Sequence, residues 1–219
     1  MGQRELKDTV EQQYFEPAAV PVSEDEGTRD MKVLYPFLIS GGANTERWYF
    51  VHINDLTEFK FNIKPEYFSD ESNYTEVFPK RINDILSRNI DAKIFCVFDW
   101  DTIYGNDTRE KKHKSFLEQF KTQISAGVVI VCPSMLSIEY WFLLHFVNHT
   151  DLMKDYREVS NVLAPYMKPC FSNPSEKLKK LLKKKKYLED ASWVKRLCSN
   201  GSLSDAIKRA EDNINVAEA

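Results

Sequence analysis

Two aspartates close a short apolar run, and their spacing suggests a metal site. Asp99 and Asp101 follow the run Ile94–Phe98, whose aromatic and β-branched residues are typical of a buried strand. If the chain stays extended there, both carboxylates point to the same face, because side chains two positions apart do so in a strand. Carboxylate oxygens at the carboxyl end of a strand suit Mg²⁺ or Mn²⁺. The alternative is that Asp99 caps the next segment and Asp101 is solvated.

A third carboxylate follows a glycine turn earlier in the chain. Residues 32–39 form an apolar run that predicts a strand, with Pro36 the one feature against it. Gly41–Gly42 permits a tight turn, Asn44 or the threonine after it can cap a helix, and Glu46 would then lie in the first turn. If the two strands are neighbours, three carboxylates share one edge of one sheet. The alternative role of Glu46 is only to complement the helix dipole.

Glu139 is a fourth acidic candidate. The run Val128–Cys132 predicts another strand, and Ser137 is an N-cap candidate that would place Glu139 at the second position of a helix. The loop between that strand and that helix would open on the same edge as Glu46 and Asp99. Here too the alternative is a glutamate that only complements the start of its helix.

A lysine-rich segment, residues 177–186, predicts a contact with nucleic acid. Three leucines in it recur at helical spacing, which indicates an amphipathic helix. Clustered lysines attract phosphate backbones without reading sequence. The candidates are Lys177, Lys179, Lys180, Lys183, Lys184, Lys185 and Lys186. The alternatives are a solvated helix face and a membrane-surface helix, the latter disfavoured by the short length of the segment. Nearby, Tyr187 and Trp193 could stack bases or pack in the core.

The chain alternates predicted strands and helices. Strands are predicted at 32–39, near 58–64, at 93–98 and at 128–132, and helices at 45–55, near 73–89 and at 107–124. This alternation predicts an α/β fold, with a mostly parallel sheet flanked by helices on both faces. From residue 137 onward we expect a helical C-terminal segment.

Composition fits a folded domain with additions at either end. The 219 residues carry a net charge of −3 and can bury a sizeable core. We expect residues 1–30 to be a flexible acidic leader, residues 31–150 to be the α/β domain, and residues 151–219 to be a helical extension packed on that domain.

Membrane and secretory classes are disfavoured. No apolar run is long enough to cross a membrane, and the polar N-terminus has no secretory signal. The four cysteines are widely spaced without a C-x-x-C pair, which disfavours structural zinc. These features predict a reduced, cytoplasmic protein.

Three runs around the acidic candidates resemble the RloB-like proteins, which are restriction-linked and associated with phage resistance. The runs are Ile39–Phe50, Val97–Asp101 and Ser137–Phe146. The resemblance covers about residues 32–212, and it implies a Toprim-like fold, as in topoisomerase and primase catalytic domains and OLD-type nucleases. It also implies that Glu46, Asp99 and Asp101 match the Toprim acidic set. The chain departs from the family pattern before Glu139, since it lacks the usual Asn-Pro and has Ile138 in place of an aromatic residue.

The leading hypothesis is a metal-dependent nuclease that cleaves RNA or DNA in anti-phage defence. Glu46, Asp99 and Asp101 would hold one or two Mg²⁺ or Mn²⁺ ions, with Glu139 as a further catalytic candidate. Glu46 could instead be the general base. The expected partners are nucleic acid and a defence-system protein, with no membrane contact and with oligomer formation left open. The alternative is a non-catalytic module that binds nucleic acid or another protein.

Overall fold

The structure, a computed structural model, describes residues 35–42, 44–64, 74–134, 136–151, 153–200 and 203–218. The predicted acidic leader at residues 1–30 lies outside the described residues. Residues 35–219 form one compact unit.

The described part of the chain contains one sheet of four parallel strands. These are β1 (Phe37–Ser40), β2 (Asn62–Lys64), β3 (Ile94–Asp99) and β4 (Val129–Ser134). Their order is β2–β1–β3–β4, with Ser40 paired to Val97 and Asp99 paired to Ser134. This order confirms that the strands before Glu46 and Asp99 are neighbours. Because the strands are parallel, the loops after their carboxyl ends open on one edge of the sheet.

Helices flank the sheet and make up the C-terminal part, as predicted. The described α-helices are α1 (Thr45–Leu56), α2 (Tyr74–Arg88), α3 (Asp107–Gln119), α4 (Lys121–Ser125), α5 (Ile138–Leu144), α6 (Tyr156–Met167), α7 (Leu178–Leu181), α8 (Lys185–Leu188), α9 (Ser192–Asn200) and α10 (Leu203–Glu218). None of these helices is both long enough and apolar enough to span a membrane.

Alternating side chains of the strands supply two apolar cores, one on each face of the sheet. In β3, Ile94, Cys96 and Phe98 pack in the core with α2 and α3, whereas Val97 packs in the core with α1, α5 and the later helices. The side-chain period of two continues to the end of the strand. Asp99 therefore lies on the same face as Val97, towards α1 and α5.

Three predicted elements have different limits in the structure, among them the strand predicted near 58–64, which begins only at Asn62. The strand predicted at 32–39 begins at Phe37 within the described residues, directly after Pro36, which has no amide hydrogen for a sheet bond. The helix predicted at 107–124 is interrupted at Phe120, whose backbone (φ −107°, ψ 16°) separates α3 from α4. The break lets the Phe120 ring pack in the core beside α2.

The lysine-rich segment 177–186 is not one helix, so that part of the prediction is wrong. It forms α7 and α8, and Lys184 between them has an extended backbone (φ −97°, ψ 118°). The three leucines are buried, as their spacing predicts: Leu178, Leu181 and Leu182. A continuous helix would carry Lys185 and Lys186 onto the same buried face. The break places Tyr187 and Leu188 in the core instead.

Candidate functional site

The loop after β1 brings Glu46 to the edge of the sheet. Gly41 donates a backbone hydrogen bond to Val97 O (2.6 Å), and a Cβ at Gly41 would lie 2.8 Å from Phe98 Cβ. Only glycine lets the loop approach β3 this closely. A Cβ at Gly42 would lie within 2.7 Å of both Glu46 carboxylate oxygens. The two glycines therefore create the space in which Glu46, 8% exposed, lies at the start of α1.

The predicted geometry of the aspartate pair is wrong in one respect. Asp99 ends β3, but the chain then enters a 3-10 turn at Trp100–Thr102, so Asp101 is not on an extended strand. Asp99 Oδ1 accepts a hydrogen bond from the Ile138 amide (2.8 Å), and the Asp101 amide donates to Leu136 O (3.0 Å). Both aspartates are thus bound to the loop before α5, with Asp99 half-buried and Asp101 exposed.

Glu139 occupies the second position of α5, as predicted, and is 6% exposed. Ser137 is the N-cap residue, although its side chain makes no capping hydrogen bond. Leu136 has φ +63°, a left-handed conformation that costs a residue with a side chain about 1–2 kcal/mol. This turn directs the Leu136 carbonyl towards Asp101, so the strained residue lies where the two acidic loops meet.

All four acidic candidates line one cleft of about 720 Å³ at the carboxyl edge of the sheet. The charged and hydroxyl-bearing walls include Glu46, Asp99, Asp101 and Glu139 together with Lys179, Lys183, Arg109 and Tyr156. The acidic residues come from three separate strand-to-helix connections, which the strand order brings together.

Burial raises the pKa of each of these carboxyl groups, and repulsion from neighbouring carboxylates adds to the rise for Glu46, Asp99 and Glu139. Burial raises the pKa of Asp99 to about 9, and the charges of Glu46 and Glu139 add to the shift. Burial likewise raises the pKa of Glu46 to about 7, against the opposing effect of its own backbone amide. Burial is also the main cause of the raised pKa of Glu139 and of Asp101. The ionised form of these carboxyl groups is therefore disfavoured, and a nearby cation would stabilise it.

The donor set suits a hard divalent cation. Mg²⁺ favours oxygen ligands and is commonly held by one or two carboxylates, several waters and substrate phosphates. Within the described residues, no three His, Cys, Asp or Glu side chains are close enough to hold an ion by themselves. The cleft thus fits an open site, in which one or two of these carboxylates contact the ion and water or phosphate oxygens complete its coordination.

Helix α1 holds the lysine-rich segment beside the cleft. Thr45 Oγ1 donates a hydrogen bond to Leu182 O, and His52 Nε2 donates to Leu188 O (2.6 Å). Trp193 Nε1 donates to the same Leu188 carbonyl (3.1 Å). These bonds fix both halves of the segment, and Lys183 lies close enough to the carboxyl group of Glu139 to oppose the rise of its pKa.

The predicted nucleic-acid contacts divide into two groups. Lys179 and Lys183 line the cleft. The other candidates have different surroundings: Lys180 pairs with Glu176, Lys185 pairs with Glu189 at 3.4 Å, Lys186 lies 4.8 Å from the Tyr187 ring centre, and Lys177 and Lys184 are exposed. Tyr187 is 9% and Trp193 0% exposed, so both rings pack in the core and leave no face for a base.

Sequence reasoning missed two residues of the cleft, Arg109 and Tyr156. Arg109 Nη1 donates a hydrogen bond to Thr102 O (2.6 Å), which fixes the turn after Asp101. Tyr156 opens α6, and burial together with the charges of Glu139 and Asp101 raises its pKa. The only local signals are the capping residues just before the two helices, which predict where a helix starts but not what its first turn faces.

Comparison with known proteins places the chain in a family. A family model described as RloB-like protein matches residues 37–219, which include every acidic candidate and the lysine-rich segment. No curated protein and no solved structure matches the chain significantly. Because the matched region covers most of the sequence, the chain belongs to the RloB-like family.

Proposed function

We propose that the chain is a divalent-metal-dependent nuclease that hydrolyses phosphodiester bonds of RNA or DNA in defence against phage. Membership of the RloB-like family fits a defence-associated role. The proposal includes a Toprim-like fold, in which Glu46 after β1 forms one site with Asp99 and Asp101 at the end of β3. It is supported by the neighbouring positions of these two strands.

The observation that carries the proposal is the convergence of four carboxyl groups, from three strand-to-helix connections, on one cleft. Buried carboxylates that repel one another need a compensating proton or cation. Two lysines line the same cleft, Lys179 and Lys183. An acidic cluster with basic residues at its rim suits a cation that must also meet an anionic ligand, and a phosphodiester is such a ligand.

The described residues have distinct roles in this scheme. Asp99 and Asp101 would hold the divalent cation, which would supply an acidified water and neutralise charge on the phosphate. Lys179 and Lys183 contact phosphate oxygens and orient the strand. Glu46 would either join the ligands or take the proton of the attacking water.

A cleavage assay with Mn²⁺ tests the proposal on single-stranded RNA, single-stranded DNA and a structured RNA such as tRNA. We expect cleavage by the wild type, none in EDTA, and a rate lower by roughly 100-fold or more for Asp99→Asn. Binding measured in EDTA should change little in that variant, because the amide keeps the shape of the side chain. Asp107→Asn is the matched control, since Asp107 is exposed at the start of α3 and outside the cleft lining.

A defence protein can require a trigger or a partner protein, so the same variants should be compared in cells challenged with phage. Protection by the wild type and by Asp107→Asn, together with loss of protection in Asp99→Asn, supports catalysis. If Asp99→Asn protects as well as the wild type, the nuclease proposal is wrong. A binding role through the lysines that line the cleft then becomes the better account.

A further inference from the structure

A second, smaller cleft of about 380 Å³ adjoins the carboxylate cleft. The two clefts share Asp101 and Tyr156 as lining residues. The other lining residues include Trp100 and Tyr104 from the loop after β3, and Lys154, Asp155 and Arg157 at and just before the start of α6. Aromatic rings on one wall and cationic side chains on the other are the chemistry of a site for an aromatic, anionic ligand.

Tyr104 is held in place by its backbone while its ring remains in solvent. Its side chain is 73% exposed, whereas the preceding Ile103 is fully buried and anchors the loop. The Tyr104 amide donates to Trp100 O (3.0 Å), and the Gly105 amide donates to Glu110 Oε1 (3.0 Å). A large ring on a fixed loop has little contact with the core, yet it offers a stacking face at low entropic cost.

The wall formed by α6 supplies polar groups. The Tyr156 hydroxyl is shielded from solvent, with Ser160 nearby. The Lys154 and Arg157 side chains are exposed and form no ion pair within the described part of the chain. The Lys154 and Arg157 side chains can therefore meet an incoming ligand without breaking an ion pair.

We propose that this second cleft binds an unpaired nucleobase of the substrate strand, next to the phosphate that occupies the carboxylate cleft. Trp100 and Tyr104 stack on the base, and Arg157 contacts a flanking phosphate. The proposal rests on the proposed nuclease function and narrows its substrate to single-stranded or unpaired regions, because a paired base remains stacked within its duplex. The volume suits a nucleobase with its sugar, since small-ligand sites begin at about 300 Å³.

Binding of short fluorescent oligonucleotides, measured by anisotropy in EDTA, tests the proposal without any cleavage. The wild type should bind a single strand at least roughly 5-fold more tightly than the same strand with abasic sites, and Tyr104→Ala should lose that preference. Tyr104→Phe should keep it, because the ring remains. Phe59→Ala is the matched control, since Phe59 is also an exposed aromatic (44%) but precedes β2, at the opposite end of the strands.

The outcomes separate this proposal from the nuclease proposal. Equal affinity for normal and abasic strands, or equal loss in Tyr104→Ala and Phe59→Ala, overturns the nucleobase site, and so does tighter binding to duplex than to single strand. None of these results alters the cleavage test of Asp99→Asn. Conversely, a Tyr104-dependent preference in a chain that never cleaves would support the nucleobase site while the nuclease proposal fails.

Discussion

The backbone amide of Ile138 donates a hydrogen bond to the carboxylate of Asp99 over 2.8 Å, although the two residues are 39 positions apart. The bond joins the end of β3 to the start of α5, and so fixes Glu139 relative to Asp99. It lowers the pKa of Asp99, but burial and the neighbouring carboxylates outweigh it. The acidic cluster is therefore assembled by the contact between two strand-to-helix loops.

We expect Mn²⁺ to bind through Asp99 and Asp101. The double variant Asp99→Ala/Asp101→Ala should lose Mn²⁺ affinity by more than roughly 10-fold. Hydrogen bonds to Ile138 and Leu136 hold both aspartates in place, and such supporting contacts orient metal ligands. Calorimetric titration with Mn²⁺ measures this, with Asp107→Ala as the control for loss of an exposed negative charge. Equal Mn²⁺ affinity in the double variant and the control would contradict a metal site at Asp99 and Asp101.

The stability of the metal-free chain should fall as the pH rises. Between the ordinary aspartate pKa of 3.8 and about 9, the folded chain keeps a proton at Asp99 that the unfolded chain releases, and Glu46 acts in the same direction up to about 7. Glu139 and Asp101 face the same cleft with raised pKa, and Lys183, in the turn after α7, opposes the rise for Glu139. In EDTA, the melting temperature should therefore be lower at about pH 8 than at about pH 6.

Two comparisons test the cause of that pH dependence. Asp99→Asn should flatten the change in melting temperature between the two pH values, because the amide does not titrate. Mn²⁺ should raise the melting temperature more at the higher pH, since binding to a protonated carboxyl group must release the proton. A pH profile in Asp99→Asn identical to that of the wild type would show that other groups cause the dependence.

The sheet and the positions of the acidic residues follow from local sequence patterns. Apolar runs and glycine turns predict β1, β3 and β4, and N-cap candidates place Glu46 and Glu139 in first helical turns, where the structure has them. The patterns rely only on residues near one another in the chain. They fail at Asp101, because the 3-10 turn depends on a hydrogen bond to Leu136 in another loop.

The wider surroundings of the cleft depend on contacts between distant parts of the chain. Lys183 lies near Glu139 because Thr45 binds the Leu182 carbonyl, 137 positions away. The break before α8 depends on which side chains can be buried against α1. The helical spacing of the leucines does not predict where such a break occurs. The same limit applies to Tyr156, whose place in the cleft is set by how α6 packs on α5.

The two cleft lysines should dominate binding of nucleic acid by the lysine-rich segment. Lys179→Gln/Lys183→Gln should weaken binding and reduce the slope of log affinity against log salt by roughly 1.4–1.8, the value for two phosphate contacts. Lys184→Gln/Lys186→Gln removes the same charge outside the cleft lining and should change the slope less. Anisotropy titrations across a salt series measure both. Equal slopes in the two double variants would mean that the segment acts only through its total charge.

The two glycines after β1 should respond differently to alanine. Gly41→Ala places a Cβ 2.8 Å from Phe98 Cβ and close to the β3 backbone, so we expect a loss of about 1–3 kcal/mol in the free energy of unfolding. Gly42→Ala brings a Cβ closest to the Glu46 carboxylate, which can rotate away, so stability should change less while Mn²⁺ binding and cleavage decline. Urea unfolding and calorimetry measure the two effects. The assignment of Glu46 to the site is contradicted if Gly42→Ala has wild-type activity.

Glu139→Gln tests whether a glutamate at a helix start also takes part in the site. A glutamate that only complements its helix remains solvated, whereas Glu139 is 6% exposed and its burial raises its pKa beside Asp101 and Lys183. We therefore expect Glu139→Gln to lose most cleavage and to bind Mn²⁺ more weakly, with the fold retained because the amide has the same shape. Glu158→Gln is the matched control, since Glu158 lies in the first turn of α6 and is exposed. Rates and Mn²⁺ affinities equal to those of Glu158→Gln would mean that Glu139 only complements the dipole of its helix. The site would then consist of Glu46, Asp99 and Asp101 alone.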